Sequence, residues 1–185
     1  MQHGQEKVLE YLRLAYGQEK ALIGTLQGHV AMARDGEYKS ALEHHLTETT
    51  GHARQIRQRL NELGYQDQEH ILQRGIGFVQ SVAMQGMSIA KAPIDMFRGK
   101  GSPEETMLKN ARDEAMTEAA EIATYLTIES IADEEGDGQT AELARNIRAD
   151  EERMLGKLGE AIPKLAAALV KEDPAPTLTS VRKAS

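Results

Sequence analysis

At 185 residues the chain is long enough for one domain with a sizeable core, and no run approaches the ~18 apolar residues of a membrane-spanning helix. The absence of Cys excludes disulfide scaffolds, thiolate metal sites and thiol catalysis, and a net charge of -7 argues against binding a phosphate backbone. With 4% aromatic residues and no Trp, the core must be built from Leu, Ile, Val, Ala and Met, which favours helices over a β-sandwich.

Residues 1–7 are polar and show no basic-then-apolar signal pattern, so a cytoplasmic location is expected. A first helix is predicted over residues 5–34, with Val8, Leu12, Ala15, Leu22, Leu26 and Val30 on one face and Asp35-Gly36 as its stop. A second is predicted over 37–63, ending at Gly64, with Tyr38, Ala41, Leu42, Ile56, Leu60 and Leu63 as its stripe. The connection over 65–101 contains a Gly- and Met-rich helical stretch, 71–92, before Pro93 disturbs it. Ser102-Pro103-Glu104-Glu105 is a helix start, with Ser as N-cap and Pro at the first helical position. The third helix then runs to about Glu135, where Gly136-Asp137-Gly138 breaks it. The fourth covers 139–171, with a bend expected at Pro163. Residues 173–185 read as a flexible tail behind a domain of residues 1–172.

Helices one and two, and three and four, are joined by short turns, which makes each pair antiparallel. The long link from two to three can cross the bundle and reverse the second pair. The expected fold is therefore all-α: a four-helix bundle of two antiparallel hairpins, with an extra helix in the crossover.

Polar residues stand on these apolar lines. The line 8, 12, 15, 19, 22, 26 places Glu19 inside. The line 38, 42, 45, 48, 52, 56, 60 places His45, Glu48 and His52 there in succession. On helix three, 108, 111, 115, 118, 122, 125 holds Glu118, with Glu121 on its shoulder and Tyr125 one turn on. On helix four, 144, 147, 151, 154, 158 holds Glu151 between Ile147 and Met154. Each Glu sits near the middle of its helix, so aligned helices would bring the four together.

Uncompensated burial costs several kcal/mol per carboxylate. Protonation, pairing with Arg or Lys, or a bound cation would each resolve it, and basic residues are scarce on these lines. A single Glu on a helix stripe usually sits at its edge and reaches water; four at one level are harder to place that way. Glu from every helix with neighbouring His is the ligand set of carboxylate-bridged di-iron or di-manganese bundles. His44 lies off the stripe, and His3, His29 and His70 are expected at the surface. Met84, Met87 and Met96 are expected as core filler rather than as soft ligands. No Gly-rich phosphate loop, nucleophile–base signature or basic amphipathic face is present, so neither a nucleic-acid nor a membrane partner is expected.

Five segments in order resemble the bacterial ferritin-like stress-protein family of YciE/YciF type. They are Gln18-Glu19-Lys20-Ala21-Leu22, His45-Leu46-Thr47-Glu48-Thr49, Val82-Ala83-Met84-Gln85-Gly86-Met87, the run from Glu118 through Glu121 to Tyr125, and Asp150-Glu151-Glu152. The resemblance covers roughly residues 8–160. It implies a ferritin-like bundle, a homodimer, a dinuclear centre holding Fe or Mn, and association with stress. Carried over residue by residue, its ligands fall on Glu19, Glu48, Glu118 or Glu121, and Glu151, with His52 added from the stripe. The chain departs from the di-iron Glu-x-x-His pattern. Gly51 stands three residues after Glu48, with His52 one further on, and Met154 stands three after Glu151. Gln85 replaces the family's Glu in the connecting segment. Two functions are thus expected to compete: a metal-binding protein that oxidises Fe(II) or disposes of peroxide, and a metal-free bundle dimer whose inner acids share protons with His45, His52 and Tyr125.

Overall fold

The computed structural model describes residues 3–65 and 102–171. They form α1 (His3–Met32), α2 (Glu37–Glu62), α3 (Pro103–Glu134) and α4 (Gly138–Lys171), with no strand among the described residues. The helix expected over 71–92, His70, Met84, Met87, Met96 and the tail lie outside the described residues.

The stops and starts follow local chemistry. Gly36 has φ 151° and Gly136 has φ 70°, conformations in which a Cβ is strained, so each turn needs its glycine. Ser102 Oγ accepts from the Glu105 backbone N–H at 3.2 Å, and Pro103 fills the first position of α3. Asp137 Oδ1 accepts from the Thr140 N–H at 3.1 Å and so caps α4. Arg59 of α2 donates to Asp137 at 2.7 Å and to Thr140 Oγ1 at 2.8 Å, tying the end of α2 to the α3–α4 turn. Helix α4 continues through Pro163.

Side-chain pairs give the directions. Helices α1 and α3 meet through His29–Glu114 near one end and Glu19–Tyr125 at mid-height, so they are antiparallel. Helices α2 and α4 meet through Glu37–Lys164, His52–Asp150 and Arg59–Asp137, again antiparallel. The order around the bundle is α1, α2, α4, α3, and every neighbouring pair is antiparallel. Helix α2 ends and α3 begins at opposite ends of the bundle, as a reversed second hairpin requires.

Two apolar layers fill the interior. One joins Val8, Leu12, Ala15, Ile56, Leu60, Tyr125, Ile128 and Ile147. The other joins Leu22, Leu26, Leu42, Ala111, Met154 and Leu158. Each Leu or Ile fully buried there contributes about 1.5–3 kcal/mol. The buried line of α3 lies one position from the expected one: Met107, Ala111, Glu114, Glu118, Glu121 and Tyr125 are buried, while Leu108, Ala115 and Ile122 are half-buried. Alanines at 115, 119, 120 and 123 dilute the apolar contrast between the faces of this helix, which leaves its rotation poorly specified by pattern. No described helix is long and apolar enough to cross a membrane.

Candidate metal centre

Between the two apolar layers lies a polar one. Glu19, His45, Glu118 and Glu151 are each 0% exposed, Glu121 1% and His52 2%. The 3–4 residue spacing that buries Leu and Ile above and below also buries these groups, because they occupy the same helix faces. Helices α1, α3 and α4 supply carboxylates, and α2 supplies two imidazoles seven residues apart, two turns along one face.

Two triads emerge. One ligand atom each from Glu19, His52 and Glu151 lies within 4.8 Å of the others, and the same holds for His45, Glu118 and Glu151. Glu151 belongs to both and turns one oxygen to each. Its Oε1 is 3.0 Å from His52 Nδ1, and its Oε2 is 3.6 Å from His45 Nε2. Glu118 Oε1 is 3.0 Å from His45 Nε2, and Glu19 Oε1 is 3.6 Å from His52 Nδ1. These pairs are close enough for ionic attraction but lack hydrogen-bond alignment. Both oxygens of Glu118, Glu121 and Glu151, both nitrogens of His45, and His52 Nδ1 are buried without a hydrogen-bond partner. Such groups are costly unless something else satisfies them.

Outer contacts fix some of the members. The Tyr125 hydroxyl donates a short hydrogen bond to Glu19 Oε1. His52 Nε2 is bonded to Asp150 Oδ2 at 2.9 Å, leaving Nδ1 for the interior. Glu48 stands at the rim, its side chain 18% exposed, 3.2 Å from Arg153 and 3.7 Å from His45 Nδ1.

Charge is poorly tolerated here. Burial raises the pKa of Glu118 to about 11, and the neighbouring Glu151, Glu114 and Glu19 add to the shift. Burial likewise pushes Glu19 up and Glu121 well up, Glu121 with repulsion from Glu19, Glu151 and Glu118. Burial alone would lower the His52 imidazole; contacts with Glu151 and Glu19 outweigh it and raise the pKa to about 11. Tyr125 is held protonated, by burial first and by the facing carboxylates second.

The structure thus brings together Glu19, His52, Glu118, Glu121 and Glu151, and sets Glu48 outside them. It adds His45, whose stripe position was evident though it was not counted among the ligands, and Asp150, whose role no periodicity signals. His29 is corrected. It is buried, 6% exposed, and its Nδ1 is paired with the buried Glu114 rather than with water. Its spacing of three from Leu26 and seven from Leu22 was the available signal. His44 is exposed, as expected. The layer's donors fit a hard or borderline divalent ion: carboxylate oxygens and imidazole nitrogens converge, unpartnered, in a dry interior.

The family described as a domain of unknown function (DUF892) matches residues 4–171. A search of curated proteins finds no match. Among solved structures, the E. coli stress protein YciF is 19% identical with a TM-score of 0.65, over 90% of this chain and 99% of that one. A protein from Xanthomonas campestris pv. campestris is 19% identical with a TM-score of 0.68, over 91% of this chain and 96% of that one. YcfI from Rhodopseudomonas palustris is 18% identical with a TM-score of 0.69, over 86% and 94%. At these identities the likeness carries the fold.

Proposed function

Since the chain belongs to the DUF892 family, we propose that it is a ferritin-like, stress-associated protein whose bundle holds a dinuclear Fe or Mn centre. The observation that carries this is Glu151, shared by two His–carboxylate triads with one oxygen turned to each. A carboxylate in that position would help hold both ions. Glu19 and His52 would help hold one ion, and Glu121, buried in the same layer, is a further candidate ligand. His45 and Glu118 would complete the other, with Glu48 acting from the rim.

When bound, the ions supply redox chemistry, as oxidation of Fe(II) or removal of peroxide. The chain's own part is preparation. Apolar layers above and below exclude water from the carboxylates. Tyr125 orients Glu19 through its hydroxyl, and Asp150 orients His52 through Nε2. Glu118, Glu121 and His52 hold protons that offset the mutual repulsion of the acids, and the two carboxyls would have to be deprotonated to hold an ion.

The same reading takes the chain as a homodimer in the cytoplasm. Its support is an exposed line on α3, where Met116 (52%) and Leu126 (50%) flank the exposed Ala119 and Ala123. Sedimentation of wild type and Met116→Lys/Leu126→Lys tests it: a monomeric wild type refutes the dimer.

Elemental analysis decides the metal reading. Protein purified without chelator, or reloaded with Fe(II) or Mn(II), is expected to hold about two ions per chain. Glu151→Ala removes an oxygen from each triad and is expected to abolish both. A wild-type chain that stays metal-free after incubation refutes the centre and leaves the proton-sharing bundle.

A further inference from the structure

Each imidazole of the centre has an inner and an outer nitrogen. His52 turns Nδ1 to Glu151, and its Nε2 is bonded to Asp150 Oδ2 at 2.9 Å. His45 turns Nε2 to Glu118, and its Nδ1, which has no hydrogen bond, faces Glu48 Oε2 across 3.7 Å. Both outer partners are carboxylates at the α2–α4 seam. A single guanidinium meets them both: Arg153 Nη2 is 3.2 Å from Glu48 Oε1 and makes a short bond to Asp150 Oδ1. Nη1 of the same side chain donates to the Ala149 carbonyl at 3.0 Å, which fixes the guanidinium against its own helix. His44 Nε2, 3.2 Å from Glu48 Oε1, is the other basic group at this rim, and it is exposed.

We propose that Arg153 is the positioning residue of the centre, aiming both inner nitrogens from outside by clamping Glu48 and Asp150; this rests on the dinuclear reading. The physical reason is geometric. Two rim carboxylates facing solvent are free to rotate away from the rings behind them. A planar guanidinium that engages both leaves each carboxylate one oxygen turned to its imidazole, bonded in Asp150 and at ionic distance in Glu48. An outer hydrogen bond to a ligating imidazole fixes ring orientation and raises ligand basicity, and its loss costs about 10- to 100-fold in metal affinity; Asp150 makes that bond to His52, while Glu48 faces His45 Nδ1 across 3.7 Å and acts on it by charge. Each clamped carboxylate serves a different triad, so one side chain controls both ions. Arg153 touches neither triad, and its side chain is more than half exposed, so its removal leaves the core intact.

The test uses the full chain, stripped of metal and titrated with Co(II), whose visible absorption reports ligand geometry, in competition with a chelator. Arg153→Met is expected to weaken both Co(II) steps, the one served by His52 and Asp150 by about 10-fold or more and the other by less, and Arg153→Lys to recover part of the loss. Asp150→Asn is expected to weaken one step and Glu48→Gln the other. In the metal-free protein, the ring carbon resonances of His45 and His52 are expected to shift in Arg153→Met while those of His29 stay in place. Wild-type affinity in Arg153→Met, loss at one ion alone, or unmoved His45 and His52 signals overturns the proposal. Should wild type bind no Co(II), the dinuclear reading fails on that arm, while the ring resonances still decide whether Arg153 orients the imidazoles.

Discussion

Replacing Glu118 with Gln separates the cost of the centre from its use. Buried among Glu151, Glu114 and Glu19, the Glu118 carboxyl keeps its proton up to about pH 11 in the fold, whereas the unfolded chain releases it near 4.5. Retaining the proton at pH 7, about 2.5 units above that value, costs roughly 3 kcal/mol of folding free energy at ~1.4 kcal/mol per unit. Stability is therefore complete below pH 4.5 and declines as pH rises toward 11. Gln has the shape of the protonated acid and titrates nowhere. The metal-free Glu118→Gln protein is expected to be more stable than metal-free wild type by up to about 3 kcal/mol at pH 7, with the gap widening by ~1.4 kcal/mol per pH unit and closing near pH 5. Urea unfolding at pH 5, 6, 7 and 8 in the presence of a chelator measures this. Added Mn(II) is expected to reverse the order, because it stabilises wild type by binding and finds one fewer ligand in the variant. A pH-independent difference, or a variant less stable than wild type at pH 8 without metal, refutes the picture of Glu118 as a carboxyl repelled by its neighbours.

Two further substitutions probe the groups around the centre. His29→Leu leaves Glu114 buried without its partner and is expected to cost about 3–5 kcal/mol, a fall in melting temperature of roughly 10 °C. Adding Glu114→Gln should recover part of it, and an unchanged melting temperature would return His29 to the surface. Tyr125→Phe removes the hydroxyl that bonds Glu19 and is expected to destabilise the metal-free protein by about 2 kcal/mol. A loss below about 0.5 kcal/mol in urea unfolding would show that this hydroxyl contributes nothing.

The helical architecture was legible because its signals are local and mutually consistent. Gly36, Gly136 and the Ser102-Pro103 start mark boundaries that chain geometry enforces. The α4 line through Ala144, Ile147, Glu151, Met154 and Leu158 is fully buried as read, because charged neighbours at 142, 145, 148 and 152 leave one apolar face. Helix α3 was less legible, since its alanines suit either of two rotations, and Glu114 was missed with it. Convergence of Glu19, Glu118 and Glu151 could be inferred from depth along each helix. The position of Glu48 could not: about a quarter-turn separates the middle of the buried face from the rim, and Arg153, which meets it there, belongs to another helix. Asp150 is half-buried and Arg153 exposed, off the buried line, where periodicity is silent and only the assembled α2–α4 seam gives them partners.

Because every neighbouring pair in the bundle runs antiparallel, each helix end lies beside ends of opposite polarity. The peptide dipoles of adjacent helices oppose one another, and their terminal partial charges act only within the first and last turns. The Glu–His layer sits at mid-height, far from any of these ends. Among the described residues no helix N-terminus is near enough to supply positive potential to it, in contrast to phosphate sites that draw on such termini. Among the described residues the potential at this level is set by side chains, which leaves protons, imidazolium or a bound cation as the sources of the positive charge that balances its glutamates.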